Sequence, residues 1–392
     1  MPTTRSPYLT AKLQGFGTTI FAEMSALATA TGSINLGQGF PDTDGPREVL
    51  DAAIAAINDG LNQYPPGPGM PVLRQAVARH QQRFYDLTYD PDTEVLITTG
   101  ATEALAGAML GLLDTGDEVV VFDPLFDSYA PCIAMAGAVP KPVPLRPPHY
   151  TFDPEQFRAA VTPRTKLILL NTPHNPTGRV FTQAEMQCIA DIAIERDLIV
   201  LTDEVYEHLR FDGAQHIAMA SLPGMRERTL VISSGGKTFN TTGWKVGWLC
   251  GPAPLVQAAR TAKQFLTYVS SGPFQPAIAV GLDLPDEFFR GIAADLQAKR
   301  DRLVPGLCAA GFDVYPTSAT YFVTADIRPI RPDGDGMAFC RELPTRCGVV
   351  AIPNEVLYLD RAAGRHLVRF AFCKRPEVLD EAVQRLATLA AG

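Results

Sequence analysis

Lys237 stands in Ser233-Ser234-Gly235-Gly236-Lys237-Thr238, directly after an apolar run, Leu230–Ser233, that reads as a buried strand. Ligands of open α/β sheets bind at the carboxyl ends of such strands. An amine desolvated there gives up its proton more easily and becomes able to form an imine with a carbonyl. The glycines beside it let backbone and ligand approach closely. Taken alone, a lysine after a strand is most often a solvated end. A sharper rival is the nucleotide-binding P-loop, since Gly236-Lys237-Thr238 matches the tail of G-x-x-x-x-G-K-[ST] and Leu198–Glu204 resembles its acidic strand. The first glycine of that loop falls on Val231, however, and the acidic strand precedes the lysine. Both facts disfavour a P-loop nucleotide hydrolase.

Other segments offer groups that would complement an imine-forming amine. Thr202-Asp203-Glu204-Val205-Tyr206 ends the run Leu198–Leu201. A carboxylate at a strand mouth suits pairing with a protonated ring nitrogen, although a cap or loop salt bridge is the plainer reading of it alone. Asn171-Thr172-Pro173-His174-Asn175-Pro176-Thr177-Gly178 follows Lys166–Leu170. Its composition is that of a turn, yet its position lets Asn175 donate to a ring oxygen. Thr99-Gly100-Ala101-Thr102-Glu103 joins a strand to a helix. Free backbone N–H groups there would hold a phosphate, while Thr99 or Thr102 would serve equally as a cap. His366–Phe372 alternates as a strand and sets Arg369 on the face of Leu367 and Ala371. An inward arginine needs an anion, either an internal acid or a substrate carboxylate held bidentately.

The elements that must position these groups follow an α/β grammar. Glu94–Thr98, Glu118–Phe122, Lys166–Leu170, Leu198–Thr202, Leu230–Ser233 and Val246–Cys250 read as buried strands, with helical patterns such as Thr102–Leu113 and Thr182–Glu195 between them. Such alternation predicts a mostly parallel central sheet covered by helices. Beyond Pro252 come a helical stretch, Leu255–Tyr268, and a long amphipathic one, Phe288–Ala310, which Pro305 is expected to break. Short strands near Phe312–Tyr315, Tyr321–Thr324 and Leu367–Phe372, with helices near Gly336–Cys347 and Pro376–Ala390, predict a smaller α+β domain. The expected division is an N-terminal arm with part of the small domain at 1–43, a large domain at 44–285 and a C-terminal small domain at 286–392.

Composition excludes several classes. The 392 residues are 46% hydrophobic with a net charge of −8 and no basic run, which argues against nucleic acid. Seven dispersed cysteines include no Cys-x-x-Cys pair and fit a reduced compartment, with no metal site called for. The opening residues carry no signal-peptide pattern, and no apolar run approaches the roughly 18 residues of a membrane span. The expectation is a soluble, cytoplasmic protein.

Taken together, Asn175-Pro176-Thr177-Gly178, Asp203-Glu204-Val205-Tyr206 and Ser233-Ser234-x-x-Lys237 continuing to Gly243-Trp244-x-x-Gly247-Trp248 resemble the class I and II aminotransferases. The resemblance runs from about Phe21 to Ala390 and implies the fold of the fold-type I enzymes of pyridoxal 5′-phosphate (PLP). Leu36–Asp42 and Asn62–Gly67 are similar to the kynurenine, glutamine and methionine aminotransferases. Phe21–Leu27 and Gly272–Ala277 look closest to actinobacterial N-succinyldiaminopimelate aminotransferases of lysine biosynthesis.

The resemblance implies that Lys237 is the imine lysine and proton shuttle, that Asp203 pairs with the ring nitrogen, and that Asn175 and Tyr206 contact the ring's phenolic oxygen. It places Phe126 on the ring face. Backbone at Ala101 and Thr102, the Ser234 hydroxyl and the Lys245 ammonium would hold the phosphate, with Tyr64 reaching it from the other subunit of a homodimer. Arg369 would clamp the substrate α-carboxylate, near Gly39. The implied reaction is ping-pong transamination between an amino-acid donor, N-succinyl-L,L-2,6-diaminopimelate first, and a 2-oxo acid such as 2-oxoglutarate. Glutamine, methionine or kynurenine transamination and a cysteine-conjugate β-lyase are the alternatives. Two departures stand out: Lys245 replaces the arginine of many relatives, and Asn354-Glu355-Val356-Leu357-Tyr358 replaces a small Ser- or Gly-bearing loop with an apolar one.

Overall fold

The computed structural model describes residues 6–17 and 19–391. After a helix, Ile20–Thr31, comes a two-residue strand, β1 (Ile34–Asn35). Seven strands then build the central sheet: β2 (Val95–Thr99), β3 (Glu118–Asp123), β4 (Val139–Pro144), β5 (Thr165–Asn171), β6 (Ile199–Asp203), β7 (Thr229–Ser234) and β8 (Val246–Cys250). Their spatial order is β2-β8-β7-β6-β5-β3-β4. Neighbours run parallel except β8, which is antiparallel to both β2 and β7. The expected mostly parallel α/β sheet is therefore present. Strands β3, β7 and β8 are buried at every residue, as two covered faces require.

Parallel pairing has one consequence for function: the carboxyl ends of β3, β5, β6 and β7 share an edge. Thr99 lies beside Val246 and Ser234 beside Gly247, so the end of β2 and the start of β8 meet there too.

Strand β4 was not legible, because its sequence is Val-Pro-Lys-Pro-Val-Pro. It survives at the sheet edge, paired with β3 alone. Val139 and Leu145 donate to Asp117 and Asp123, so odd-numbered N–H groups face the ladder. The prolines, two apart, turn their donorless nitrogens to the open side.

A second sheet combines β9 (Asp313–Val314), β10 (Phe322–Asp326), β12 (Ile352–Pro353) and β13 (Leu367–Ala371) in the order β12-β13-β10-β9. Between them, β11 (Val349–Val350) pairs in parallel with β1. Met24, Ala28 and Leu36 share a buried cluster with Leu303, Phe339 and Phe370, so the opening helix packs on the C-terminal layer. The expected break at Pro305 is absent: one helix runs Asp286–Ala309. Pro305 sits on the exposed side, where water can satisfy the carbonyl it strands, while buried Leu303 and Leu307 anchor the helix on either side. Among the described residues no helix is long and apolar enough to cross a membrane.

The helix Gly100–Leu112 starts at the shared strand edge and packs on Ala253–Lys263. Contact is backbone-close: a Cβ on Gly111 would lie 2.3 Å from the Ala258 carbonyl oxygen. Gly111→Val should therefore lower the unfolding free energy by about 1–3 kcal/mol through overpacking. Urea midpoints check this, and an unchanged midpoint would show that the two helices separate without cost.

Candidate active site

A cavity of about 190 Å³ opens at the shared strand edge. Lys237 lines it from a single helical turn, Gly235–Thr238, that begins immediately after β7. Its Nζ lies 5.8 Å and 5.6 Å from the ring centroids of Tyr206 and Tyr321. Burial brings the amine's pKa down to about 8, with Arg369 and Lys245 acting in the same direction and Cys373 and Asp203 opposing. Roughly a tenth of the amine is therefore uncharged at neutral pH, far more than for an ordinary lysine.

Asp203 ends β6 and also faces the cavity, at 3% exposure. Burial raises its pKa to about 6. Tyr129 Oη donates to Oδ2 at 2.8 Å and the Val205 N–H to Oδ1 at 3.4 Å, both favouring the charged form. Among the described residues no basic nitrogen lies within 4 Å of this carboxylate. A buried acid is thus supported by neutral donors while its cavity side stays open to a cation.

The ends of β5 and β6 are tied by Asn171. Its amide donates to the Asp203 carbonyl at 2.8 Å, and its Oδ1 accepts from the Asn175 N–H at 2.7 Å. Glu207 ties β6 to β7: its carboxylate accepts from Ser233 Oγ at 2.6 Å and from Tyr85 Oη at 2.5 Å. Asn175 Oδ1 in turn accepts from Arg369 Nη1 at 2.9 Å, which leaves the amide nitrogen for the cavity.

Arg369, on β13 and 2% exposed, also donates to the Gly37 carbonyl at 3.4 Å. Its guanidinium carbon sits 3.8 Å from the Phe322 ring centroid, and among the described residues Nε has no partner. Burial lowers its pKa to about 10. A buried cation with spare donors, stacked on an aromatic face, is suited to an incoming carboxylate.

Another part of the cavity wall carries the donors an anion would need. Gly100, Ala101 and Thr102 begin the helix there, and Thr99, at the cap position, makes no side-chain capping bond. Ser234, Thr242 and Lys245 complete the wall. Lys245 takes a left-handed conformation (φ 55°). Gly247 lets β8 approach so closely that a Cβ there would lie 2.5 Å from the Gly100 carbonyl carbon. At Gly100 itself (φ +74°) a Cβ would come within 3.2 Å of Lys245 Nζ, filling the cradle. Open N–H groups, a hydroxyl and an ammonium converge on one spot.

Ala101, Thr102, Phe126, Asn175, Asp203, Tyr206, Ser234, Lys237 and Lys245 thus line one cavity, and Arg369 reaches it through Asn175. Gly39 lies behind that arginine's aromatic neighbour: a Cβ on it would sit 2.4 Å from Phe322, and its carbonyl accepts from Tyr321 Oη at 2.6 Å. Tyr64 is outside this wall, 82% exposed and edge-on to Tyr268. Tyr129, Asn171, Val205 and Thr242 were missed by sequence reasoning. Asn171 is the last residue of β5 and Tyr129 follows the end of β3, so strand-end position was the usable signal.

A family model described as aminotransferase class I and II matches residues 31–386. A probable N-succinyldiaminopimelate aminotransferase of Mycobacterium tuberculosis H37Rv is 52% identical over 390 residues, covering 97% of this chain and 98% of the relative. The methionine aminotransferase of Escherichia coli K12 is 40% identical over 378 residues, 96% of this chain and 97% of that one. The solved N-succinyldiaminopimelate aminotransferase of M. tuberculosis superposes with a TM-score of 0.95 at 52% identity, covering 97% of this chain and 100% of that one.

The geometry around Lys237 makes a prediction that needs no bound ligand. Competitive labelling of the protein with acetic anhydride should show Lys237 acquiring reactivity with a midpoint near pH 8. A midpoint near the ordinary 10.5 would contradict the desolvation of this amine.

Proposed function

The chain belongs to the class I and II aminotransferases, and from that premise we propose that it transfers the amino group of N-succinyl-L,L-2,6-diaminopimelate to 2-oxoglutarate with PLP as cofactor. The placement of an amine of lowered pKa, Lys237, and a buried carboxylate, Asp203, in one cavity carries the chemistry. The substrate rests on 52% identity to the mycobacterial enzyme over nearly the whole of both chains. A methionine donor is the second reading, supported by 40% identity to the E. coli enzyme.

The residues present fit the cofactor. Asp203 faces the cavity with a cation's place open, and the start of the helix Gly100–Leu112 is uncapped and free of the Cβ that would fill it. When bound, the cofactor supplies a carbonyl that links to an amine and a protonated ring that withdraws electrons from the donor's α-carbon. Asp203 would keep the ring nitrogen protonated, its burial strengthening the charge pair. Asn175, through its free amide, and Tyr206 would hold the ring oxygen, with Phe126 against the ring face.

Backbone N–H groups of Ala101 and Thr102, the Ser234 hydroxyl and the Lys245 ammonium would take the phosphate. Lys245 does so as a point charge rather than a fork. The exposed Tyr64 would complete that site in the other subunit of a homodimer.

Arg369 would bind the donor α-carboxylate, in the neighbourhood of Gly39, and so fix the α-carbon near Lys237. Lys237 Nζ, more easily deprotonated at its lowered pKa, would take the α-proton and return it to the carbon that the cofactor's carbonyl contributed, across the linking nitrogen. The acceptor reuses the same carboxylate site in the second half-reaction.

Two outcomes test this reading. A donor panel of N-succinyl-diaminopimelate, methionine, glutamine and kynurenine, assayed with 2-oxoglutarate, should rank the succinylated donor first by kcat/KM. Turnover confined to the other donors would overturn the substrate assignment. Lys237→Ala should abolish transamination, and Arg369→Ala should lower kcat/KM roughly 100-fold, mainly through KM, as expected for about 2–3 kcal/mol of charged hydrogen bonding. Steady-state rates of these two variants equal to wild type would remove both roles.

A further inference from the structure

A second cavity, of about 430 Å³, adjoins the first, and Phe126 lines both. Its walls are the opening segment around Phe16 and Ile20, the residues just after β3, and the apolar connection Val356–Leu359 that departs from the family pattern. That connection is fixed in place. The Leu125 N–H donates to the Leu357 carbonyl at 2.7 Å, and the Leu359 and Asp360 N–H groups donate to the Asp123 carboxylate at 3.0 Å and 3.4 Å. The loop is therefore anchored to the end of β3, the same strand edge that bears the reacting groups.

The charges lining this cavity are unequal. Glu23 is neutralised by Arg341, whose Nε lies at 2.7 Å and Nη2 at 3.3 Å. Asp127 follows the shared Phe126, and burial holds its pKa above the usual carboxylate range while Arg369 and Lys237 favour its charged form. Arg361 starts the short helix Arg361–Gly364, one residue after the anchored Asp360. It lines only the second cavity, and among the described residues it has no ion-pair partner within 4 Å. A largely apolar cavity that shares Phe126 with the reacting site and is bordered by an exposed, unpaired guanidinium suits one ligand shape: a long aliphatic chain ending in an anion.

The geometry points to this cavity as the distal subsite of the amino donor, with Arg361 reading a terminal carboxylate that lies several bonds beyond the reacting carbon. This rests on the proposed aminotransferase reading of the first cavity. It assigns to the atypical connection a role in specificity: Val356, Leu357 and Leu359 enclose the chain, and Arg361 selects its charged end. The substrate class is α-amino acids whose side chain is acylated by a dicarboxylic acid.

The test uses two donors that differ only in the distal charge, Nε-succinyl-L-lysine and Nε-butyryl-L-lysine, on the PLP-loaded wild type, Arg361→Gln and Arg361→Lys. Wild type should prefer the succinyl donor, Arg361→Gln should lower the ratio of the two kcat/KM values about two- to fivefold, and Arg361→Lys should restore part of it. Equilibrium binding of the unreactive pair N-succinyl- and N-butyryl-6-aminohexanoate, followed by calorimetry, should show the same loss of discrimination. Equal ratios in wild type and Arg361→Gln by both readouts would overturn the subsite. Absence of turnover with every donor, alongside intact discrimination between the unreactive pair, would instead overturn the aminotransferase reading and leave the subsite standing.

Discussion

Keeping ionisable groups out of water at one edge of a sheet is the constraint on which the rest of this structure depends. Asp203 and Arg369 are buried and Lys237 is half-buried in the cavity wall, and for each the dominant effect is desolvation, which disfavours its charge. Uncompensated, such burial is strongly destabilising. Here it is offset by neutral donors to the acid, by the Asn175 and Gly37 oxygens on the arginine, and by the Phe322 face beneath it. What remains after that compensation is reactivity: an amine that loses its proton easily and an acid with one side open.

The fold supplies this arrangement through direction as much as through packing. Parallel strands put the residues that follow them on one edge, and the reversal at β8 brings Lys245 back to the same edge, next to the helix that begins after β2. The C-terminal sheet contributes Arg369 from across the cavity, so the two layers meet through the Arg369–Asn175 hydrogen bond. Neither layer builds the site alone. Relative placement of the layers therefore governs whether a carboxylate can be held near the amine.

Groups at strand ends were legible in the sequence because an apolar run stopping at a polar residue marks both the strand and its mouth. That pattern located Asp203, Asn175, Ser234 and Lys237, and the strand-to-helix junction located Ala101 and Thr102. Side chains acting through long-range contacts were not legible. Tyr129 meets Asp203 and Asn171 grips the Asp203 backbone only after the chain has folded across 74 and 32 positions. The edge strand β4 hid behind prolines, and Pro305 suggested a break that exposure to water makes unnecessary. The apolar connection after Pro353 was visible in the sequence, but its anchoring to Asp123 and the cavity it walls emerge only in three dimensions.

The central claim is that the Lys237 amine, with its lowered pKa, is the group to which the cofactor's carbonyl attaches. Borohydride reduction of the PLP-loaded protein followed by trypsin and mass spectrometry tests it directly. Because modification blocks cleavage at Lys237, the label should appear on the peptide spanning 229–245 and fragment to that lysine. Recovery of an unmodified 229–237 peptide, with the label on another lysine of an active enzyme, would contradict the account.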